Sequence, residues 1–224
     1  MNTNEVLESW QVNAAEWIKT LEGGNIASRK VTNPAIFDTI KGFQPSSILD
    51  LGCGEGWLTR TLNQNGIKAV GIDGTNPLIE VAKSKGGGDF FVQSYEEILY
   101  GKKVMGAPYE AVVFNFCLYL KEETPALLTN ISSFLEGRKL VFIQTLHPYF
   151  AITQGIDYRD QWLDDAWKGL HGGFTSPHRW YYRTMAGWME TIADSGLKVL
   201  SIEEPLVPGG TRPASVIFTL TSIS

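Results

Sequence analysis

The stretch ILDLGCGEGW, residues 48–57, decides how this chain is read. A mostly apolar run opens into three glycines at alternate positions, Gly52, Gly54 and Gly56. Cys53 and Glu55 stand between them, and Trp57 follows. The run predicts a short strand over Ser47–Leu51, and residues 56–64 predict a helix. A strand, a glycine turn and a helix make a place where a ligand can approach the backbone. Glycine has no side chain to hold the ligand off, and the helix start offers unpaired N–H groups.

Spacing separates the ligand classes. A dinucleotide loop reads GxGxxG, and its third glycine lets helix pack on strand. Gly52 and Gly54 fit that pattern, but Trp57 stands where the third glycine belongs, so the loop is GxGxG. A Walker loop needs GxxxxGK followed by Ser or Thr, which the chain lacks. Asp50 and Glu55 also sit poorly beside a pyrophosphate. Cys53 lies near a helix start, which lowers thiol pKa values. No base is paired with it in the sequence, so it reads as a small filler of the loop, and Cys117 reads as core.

Outward from this loop, strands and helices alternate. Lys68–Ile72, Phe90–Val92, Glu110–Asn115, Lys139–Thr145, Leu197–Ile202 and Ala214–Thr221 read as strands. Asn76–Lys85, Glu122–Leu135 and Thr184–Ser195 read as helices. Residues 4–22 form an amphipathic helix stopped by Gly23-Gly24, and a short helix is expected after Asn33, with Pro34 in its first turn. Strands that are apolar throughout, alternating with helices, imply a parallel sheet covered on both faces. The connection between Ile202 and Ala214 carries Pro205, Pro208, Gly209, Gly210 and Pro213 and cannot be a crossover helix. The final two strands should therefore pair antiparallel. The fold class is α/β, a doubly wound, mostly parallel seven-stranded sheet with its last strand antiparallel.

The 224 residues suit one domain, here 1–224, with N-terminal helices over 1–45 and a long irregular insertion over 147–183. That insertion is too aromatic for disorder and contains every histidine, His147, His171 and His178. It follows a strand end, where open α/β sheets bind ligands, and so reads as a lid or substrate wall.

DLGCGEG, Asp50–Gly56, resembles the first motif of class I S-adenosylmethionine-dependent methyltransferases. The resemblance extends from about Asn33 onward, because the order of elements also fits, and the small-molecule branch of that family is the nearest in kind. It implies S-adenosylmethionine as cofactor, with S-adenosylhomocysteine as product. It implies that Gly52, Cys53, Gly54 and Gly56 pass the methionine and ribose portion. Asp73, ending the second strand, would accept both ribose hydroxyls, although its distance from Gly52 suits a dinucleotide fold equally. Ser94 and Tyr95 resemble the adenine-contacting positions, and Asn115 and Phe116 the segment whose backbone faces the methionine part. Trp57 would flank the amino-acid end of the cofactor, and Arg29 would reach its carboxylate unless it is an ordinary surface arginine.

The acceptor is less legible. An aromatic insertion points to a small, partly apolar acceptor, its O, N or C nucleophile unresolved. Trp10, Trp17, Arg179, Tyr181 and Tyr182 are the expected substrate residues; Arg179 and Arg183 would pair with a substrate carboxylate or with aspartates of the same insertion. If the acceptor is a hydroxyl, a general base helps, and His147 in TLHPY is the candidate, ahead of His171 and His178. Its bland role is to orient the lid or hold substrate. No close carboxylate or histidine cluster suggests a metal. The segment NFCL after the fourth strand lacks the Asn/Asp-Pro-Pro-Tyr motif of amino-group methyltransferases acting on DNA or glutamine. A non-catalytic cofactor-binding protein is the alternative, and a dinucleotide oxidoreductase a weaker one.

A net charge of −5 without a run of Lys and Arg argues against nucleic acid as partner. Two distant cysteines suggest no disulfide framework and suit a reducing, cytoplasmic compartment. The sequence shows neither a signal-peptide pattern nor an apolar window long enough for a membrane span. Oligomeric state leaves no trace in it.

Overall fold

In the computed structural model, which describes residues 3–207 and 209–222, two helices come first, α1 (Thr3–Glu22) and α2 (Arg29–Phe43). Then follow β1 (Ser47–Leu51), α3 (Trp57–Gln64), β2 (Lys68–Asp73), α4 (Asn76–Lys85), β3 (Asp89–Val92), α5 (Tyr95–Leu99) and β4 (Tyr109–Asn115). The rest of the order is α6 (Glu123–Asn130), β5 (Leu135–Thr145), α7 (Phe150–Thr153), β6 (Gln161–Leu163), β7 (Trp180–Tyr182), α8 (Met185–Asp194), β8 (Leu197–Glu203) and β9 (Val216–Ser222).

The seven-stranded sheet has the order β3-β2-β1-β4-β5-β9-β8. β1, β2, β3, β4 and β5 pair in parallel, and β9 runs antiparallel to both β5 and β8. Six strands thus point one way and the last points back, as the proline- and glycine-rich connection requires. Strand alternation builds two cores. Leu49 and Leu51 enter one layer with Val112, Phe114, Val141 and Ile143. Ile48 enters the opposite layer with Ala111, Val113, Leu140 and Phe142. Both faces of β1 are dry, which is why its sequence reads as a nearly unbroken apolar run.

Strand order reverses between β1 and β4. That is the crevice where doubly wound sheets hold ligands, at the carboxyl ends of the strands. It sets Gly52 beside the segment after β4: a Cβ on Gly52 would lie 2.6 Å from the Cys117 Cβ.

Four local expectations need correction. α2 begins at Arg29, so Pro34 sits inside it rather than in its first turn. The Thr32 N–H has already closed the first turn on the Ser28 carbonyl at 2.9 Å, so proline removes only one later hydrogen bond. The helix expected over 122–135 stops at Asn130, passes through a 3-10 turn at Ile131–Ser133, and Leu135 already pairs with Tyr109 in β5. The insertion is not wholly irregular: α7 lies within it, and β6 and β7 form an antiparallel pair with Trp162 opposite Tyr181. The short helix α5 was not expected. It is nucleated by a capping box in which Ser94 accepts from the Glu97 N–H while Glu97 accepts from the Ser94 N–H.

Candidate active site

The glycine loop is tied down from below. The N–H groups of Gly52 and Cys53 both donate to the Ile72 carbonyl, at 2.7 and 3.0 Å. Asp50, fully buried, accepts 2.7 Å from the Thr59 hydroxyl of α3, and burial pushes its carboxyl up to about 7. Glu55 is also buried and ion-pairs with Arg60 at 2.5 Å and Lys85 at 3.3 Å, which joins the loop to α3 and α4. These acids build the loop. Burial raises the Cys53 thiol well above its ordinary range, so the thiol is no nucleophile and acts as a filler.

Each glycine of the motif has its own surroundings. Gly52 has φ +85°, and a Cβ there would meet the Tyr95 hydroxyl and the Cys117 side chain. Gly56, with φ +80°, lies against the Phe90 ring. Gly54, at φ +56°, faces open space, with no atom within 4 Å of where its Cβ would stand. The loop is packed at both ends and open at its centre.

Asp73 faces that centre. Its Oδ2 accepts from the Gly54 N–H at 2.9 Å and its Oδ1 from the Thr75 N–H at 2.7 Å. Burial raises its carboxyl while these two bonds hold it down. The Thr75 side chain bonds the same carboxylate, and the lone pairs left over can accept from a ligand hydroxyl. Across the crevice, Asn115 has a buried Oδ1 without a hydrogen-bond partner among the described residues. Phe116 takes a left-handed φ of +53°, unusual for a bulky residue, and its N–H donates to the Gln144 carbonyl at 2.8 Å. Arg29, at the start of α2, lies with its guanidinium 5.3 Å from the Trp57 ring centroid. Burial lowers its pKa while the charge of Glu55 opposes this, and it pairs with no carboxylate among the described residues.

Ser94 and Tyr95 are placed differently from one another. The Ser94 hydroxyl is occupied in the cap of α5. Tyr95 turns beneath the glycine loop, its hydroxyl 3.4 Å from the Leu51 and Cys117 carbonyls, and props Gly52 from below.

The insertion is laced to α1. Ser9 donates to the Ser176 carbonyl at 2.6 Å and accepts from the Trp167 indole at 3.0 Å. Asn13 donates to the Thr175 carbonyl at 2.6 Å and accepts from the Thr175 N–H at 2.8 Å. Leu7 of the same helix packs on Gly74, directly after Asp73. Helix and insertion together form one wall over the strand ends.

Of the expected substrate residues, the structure brings Trp10 and Trp17 together, 5.3 Å apart, in a cluster with Tyr119, Trp167, Phe174 and His178. Arg179, Tyr181 and Tyr182 lie in other sets. Arg179 pairs with Asp164 at 2.8 Å and stacks on Trp162. Tyr182 is buried and donates to the Pro148 carbonyl at 2.6 Å. Tyr181 lies under Arg183 and Lys121. Arg183 itself is buried, bonded to the Leu120 and Lys121 carbonyls, and burial pulls it down to about 10.

His147 has both ring nitrogens engaged. Nδ1 accepts from the Tyr149 N–H at 3.0 Å, so Nε2 carries the proton and donates to Glu204 at 2.6 Å. Glu204 follows β8, the edge strand separated from β1 by β4, β5 and β9. Sequence position singled out His147 by its strand end but could not give its partners. Tyr119, four residues beyond Asn115, was missed; the signal available was another aromatic just after the fourth strand.

A methyltransferase-domain family model matches residues 29–202. The chain belongs to the methyltransferase-domain family. Among curated relatives, malonyl-[acyl-carrier protein] O-methyltransferase from Halalkalibacterium halodurans is 27% identical over 110 residues, 47% of this chain and 41% of that protein. The chain thus matches about two-fifths of that relative's length. Among solved structures, magnesium protoporphyrin IX methyltransferase from Synechocystis PCC 6803, with bound S-adenosylhomocysteine, superposes with a TM-score of 0.70 at 15% identity, covering 99% of this chain and 100% of that one. The 1,6-didemethyltoxoflavin-N1-methyltransferase of Burkholderia thailandensis gives 0.66 at 14% identity over 100% and 92%. At these identities the likeness is one of fold. The open centre of the loop at Gly54, the remaining lone pairs of Asp73 and the orphaned Oδ1 of Asn115 fit the cofactor of this methyltransferase fold. Among the described residues no group of three His, Cys, Asp or Glu is placed to hold a metal, and no helix is long and apolar enough to cross a membrane.

Proposed function

We propose that the chain transfers the methyl group of S-adenosylmethionine to a small, partly apolar acceptor by in-line displacement. The observation that carries this reading is Gly54: its N–H is held by Asp73 while its α-carbon looks onto free space. The bound sulfonium supplies an electrophilic methyl group. Everything else falls to residues of this chain. Asp73 takes the ribose hydroxyls on its free lone pairs, and Arg29, steadied by Trp57, takes the carboxylate of the amino-acid end. Asn115 and Phe116 line the methionine side, with Asn115 Oδ1 accepting from the ammonium. Tyr95 keeps the loop open. Alignment and exclusion of water are the main catalytic work in such a displacement. The wall made by α1 and the insertion excludes that water and selects the acceptor.

One methyltransferase domain with an N-terminal helical cap and an acceptor-facing insertion over 147–183 is the organisation proposed. Two free thiols, Cys53 and Cys117, agree with a reducing cytoplasmic setting. The direct test incubates the protein with methyl-labelled S-adenosylmethionine and cell extract, and follows the label by mass spectrometry. Transfer to a small molecule is the expected result; no transfer despite tight cofactor binding would favour a non-catalytic binding protein.

A further inference from the structure

The aromatic cluster over the strand ends contains two buried polar atoms without a hydrogen-bond partner among the described residues. One is Trp10 Nε1 and the other His178 Nε2. His178 is 3% exposed. Its Nδ1 lies 2.8 Å from the Arg179 carbonyl, and a carbonyl only accepts, so Nδ1 carries the proton. In the neutral ring Nε2 then presents a bare lone pair. Trp10 Nε1 is a donor only. Leaving such groups unpaired inside a protein costs about 1–3 kcal/mol each, so a partner is expected in the working state.

The surroundings say what that partner looks like. Trp167 lies 4.7 Å from Trp10 and 5.8 Å from His178, and Tyr119 lies 6.2 and 5.1 Å from the same two rings. Aromatic walls select a flat, apolar body. One donor and one acceptor among them select a group that both accepts and donates. A hydroxyl does both. The cluster is also joined to the cofactor crevice, because the Tyr119 hydroxyl donates 2.7 Å to the Phe116 carbonyl. An open cleft of about 340 Å³, lined by α1 and by Ser176–Arg179, reaches His178 from outside.

We propose that this cluster is the acceptor site, that it takes a hydroxylated aromatic ring, and that His178 Nε2 accepts the hydroxyl proton while Trp10 Nε1 donates to the same oxygen. The proposal rests on the methyltransferase reading above. In the step, the O–H proton passes to His178 as the O–C bond forms and the C–S bond breaks. The sulfur regains its electron pair, and the products are an aryl methyl ether and S-adenosylhomocysteine. The proton leaves His178 to solvent afterwards. Burial favours the neutral ring needed at the start. The charged and titratable groups around it are Asp165 and Arg179 of the insertion, Tyr119 after β4, and Glu5 and Glu8 of α1.

The test uses the full chain loaded with S-adenosylhomocysteine, and equilibrium dialysis of phenol, 1-naphthol and 1-methoxynaphthalene. The expected result is binding of at least one hydroxyarene about ten-fold tighter than the methyl ether. His178→Asn keeps the N–H toward Arg179 and lacks the distal nitrogen; Trp10→Phe keeps a ring and lacks the donor. Both should bind S-adenosylhomocysteine as the parent does and lose that preference. His178→Gln, which puts an amide near the Nε2 position, should restore binding while S-adenosylhomocysteine release from labelled cofactor stays on the order of 100-fold down. Equal binding of ether and hydroxyarenes, or an unchanged preference in His178→Asn, overturns the proposal. Failure of the parent to bind S-adenosylhomocysteine overturns the cofactor reading itself, and the acceptor site with it.

Discussion

Asp73, at the end of the neighbouring strand β2, holds the Gly54 N–H at 2.9 Å. One carboxylate thereby fixes the single glycine of the motif that looks onto free space. Gly52 and Gly56 serve another purpose. Their positive φ and close neighbours make them necessary to the turn.

Gly52→Ala should therefore damage the fold. The added methyl lies at φ +85° and runs into the Tyr95 hydroxyl and the Cys117 side chain. Left-handed strain and overpacking together cost roughly 2–4 kcal/mol. Urea denaturation reads this directly; a loss under about 0.5 kcal/mol would show that Tyr95 and Cys117 yield freely.

Asp50 should make stability depend on pH in an unusual direction. Its folded pKa, about 7, lies above the ordinary 3.8, so the folded state binds the extra proton between those values. Stability from this group rises as pH falls from 8 toward 5, by on the order of a few kcal/mol when complete. The melting temperature of the parent minus that of Asp50→Asn should increase over that range. A difference that is flat or reversed would mean Asp50 is ionised in the fold.

The hold of α1 on the insertion passes through Asn13. Asn13→Ala removes both bonds to Thr175 and should loosen residues 165–178 by roughly 1–3 kcal/mol. Amide exchange in that segment should quicken while the sheet stays protected. Unchanged exchange would show that the Ser9 contacts suffice alone.

His147 should prove to be a structural tie. With Nδ1 on the Tyr149 N–H and Nε2 on Glu204, it has no nitrogen left for a substrate proton. His147→Gln is expected to keep turnover within a few-fold and to cost about 1 kcal/mol in stability. Turnover slowed by two orders of magnitude or more, in a variant that still folds, would restore it as the base.

The legible parts of the molecule are local. β1, the glycine loop and α3 are contiguous, so residues 47–64 announce their own geometry. The antiparallel end of the sheet follows from the impossibility of a helix between Ile202 and Ala214. What was not legible depends on distant partners. Leu135 leaves its helix because Tyr109 pairs with it. Trp162 and Tyr181 form a strand pair across a long connection without a turn signature. His147 has neither ring nitrogen free, whereas His178 keeps Nε2 without a partner among the described residues. That depends on Glu204 in one case and on the Arg179 carbonyl in the other. The aromatic cluster joins α1 to residues more than a hundred positions away, and no spacing rule reaches so far.

The central claim concerns what lies on Gly54, and isothermal titration of S-adenosylhomocysteine tests it. The parent should bind one equivalent and show no heat with NADH. Gly54→Val should still unfold cooperatively, since no neighbour stands within 4 Å, with roughly 1–2 kcal/mol of backbone strain, yet give no binding heat. Undiminished binding in that variant, or binding of NADH in place of S-adenosylhomocysteine by the parent, would contradict the placement of the ligand.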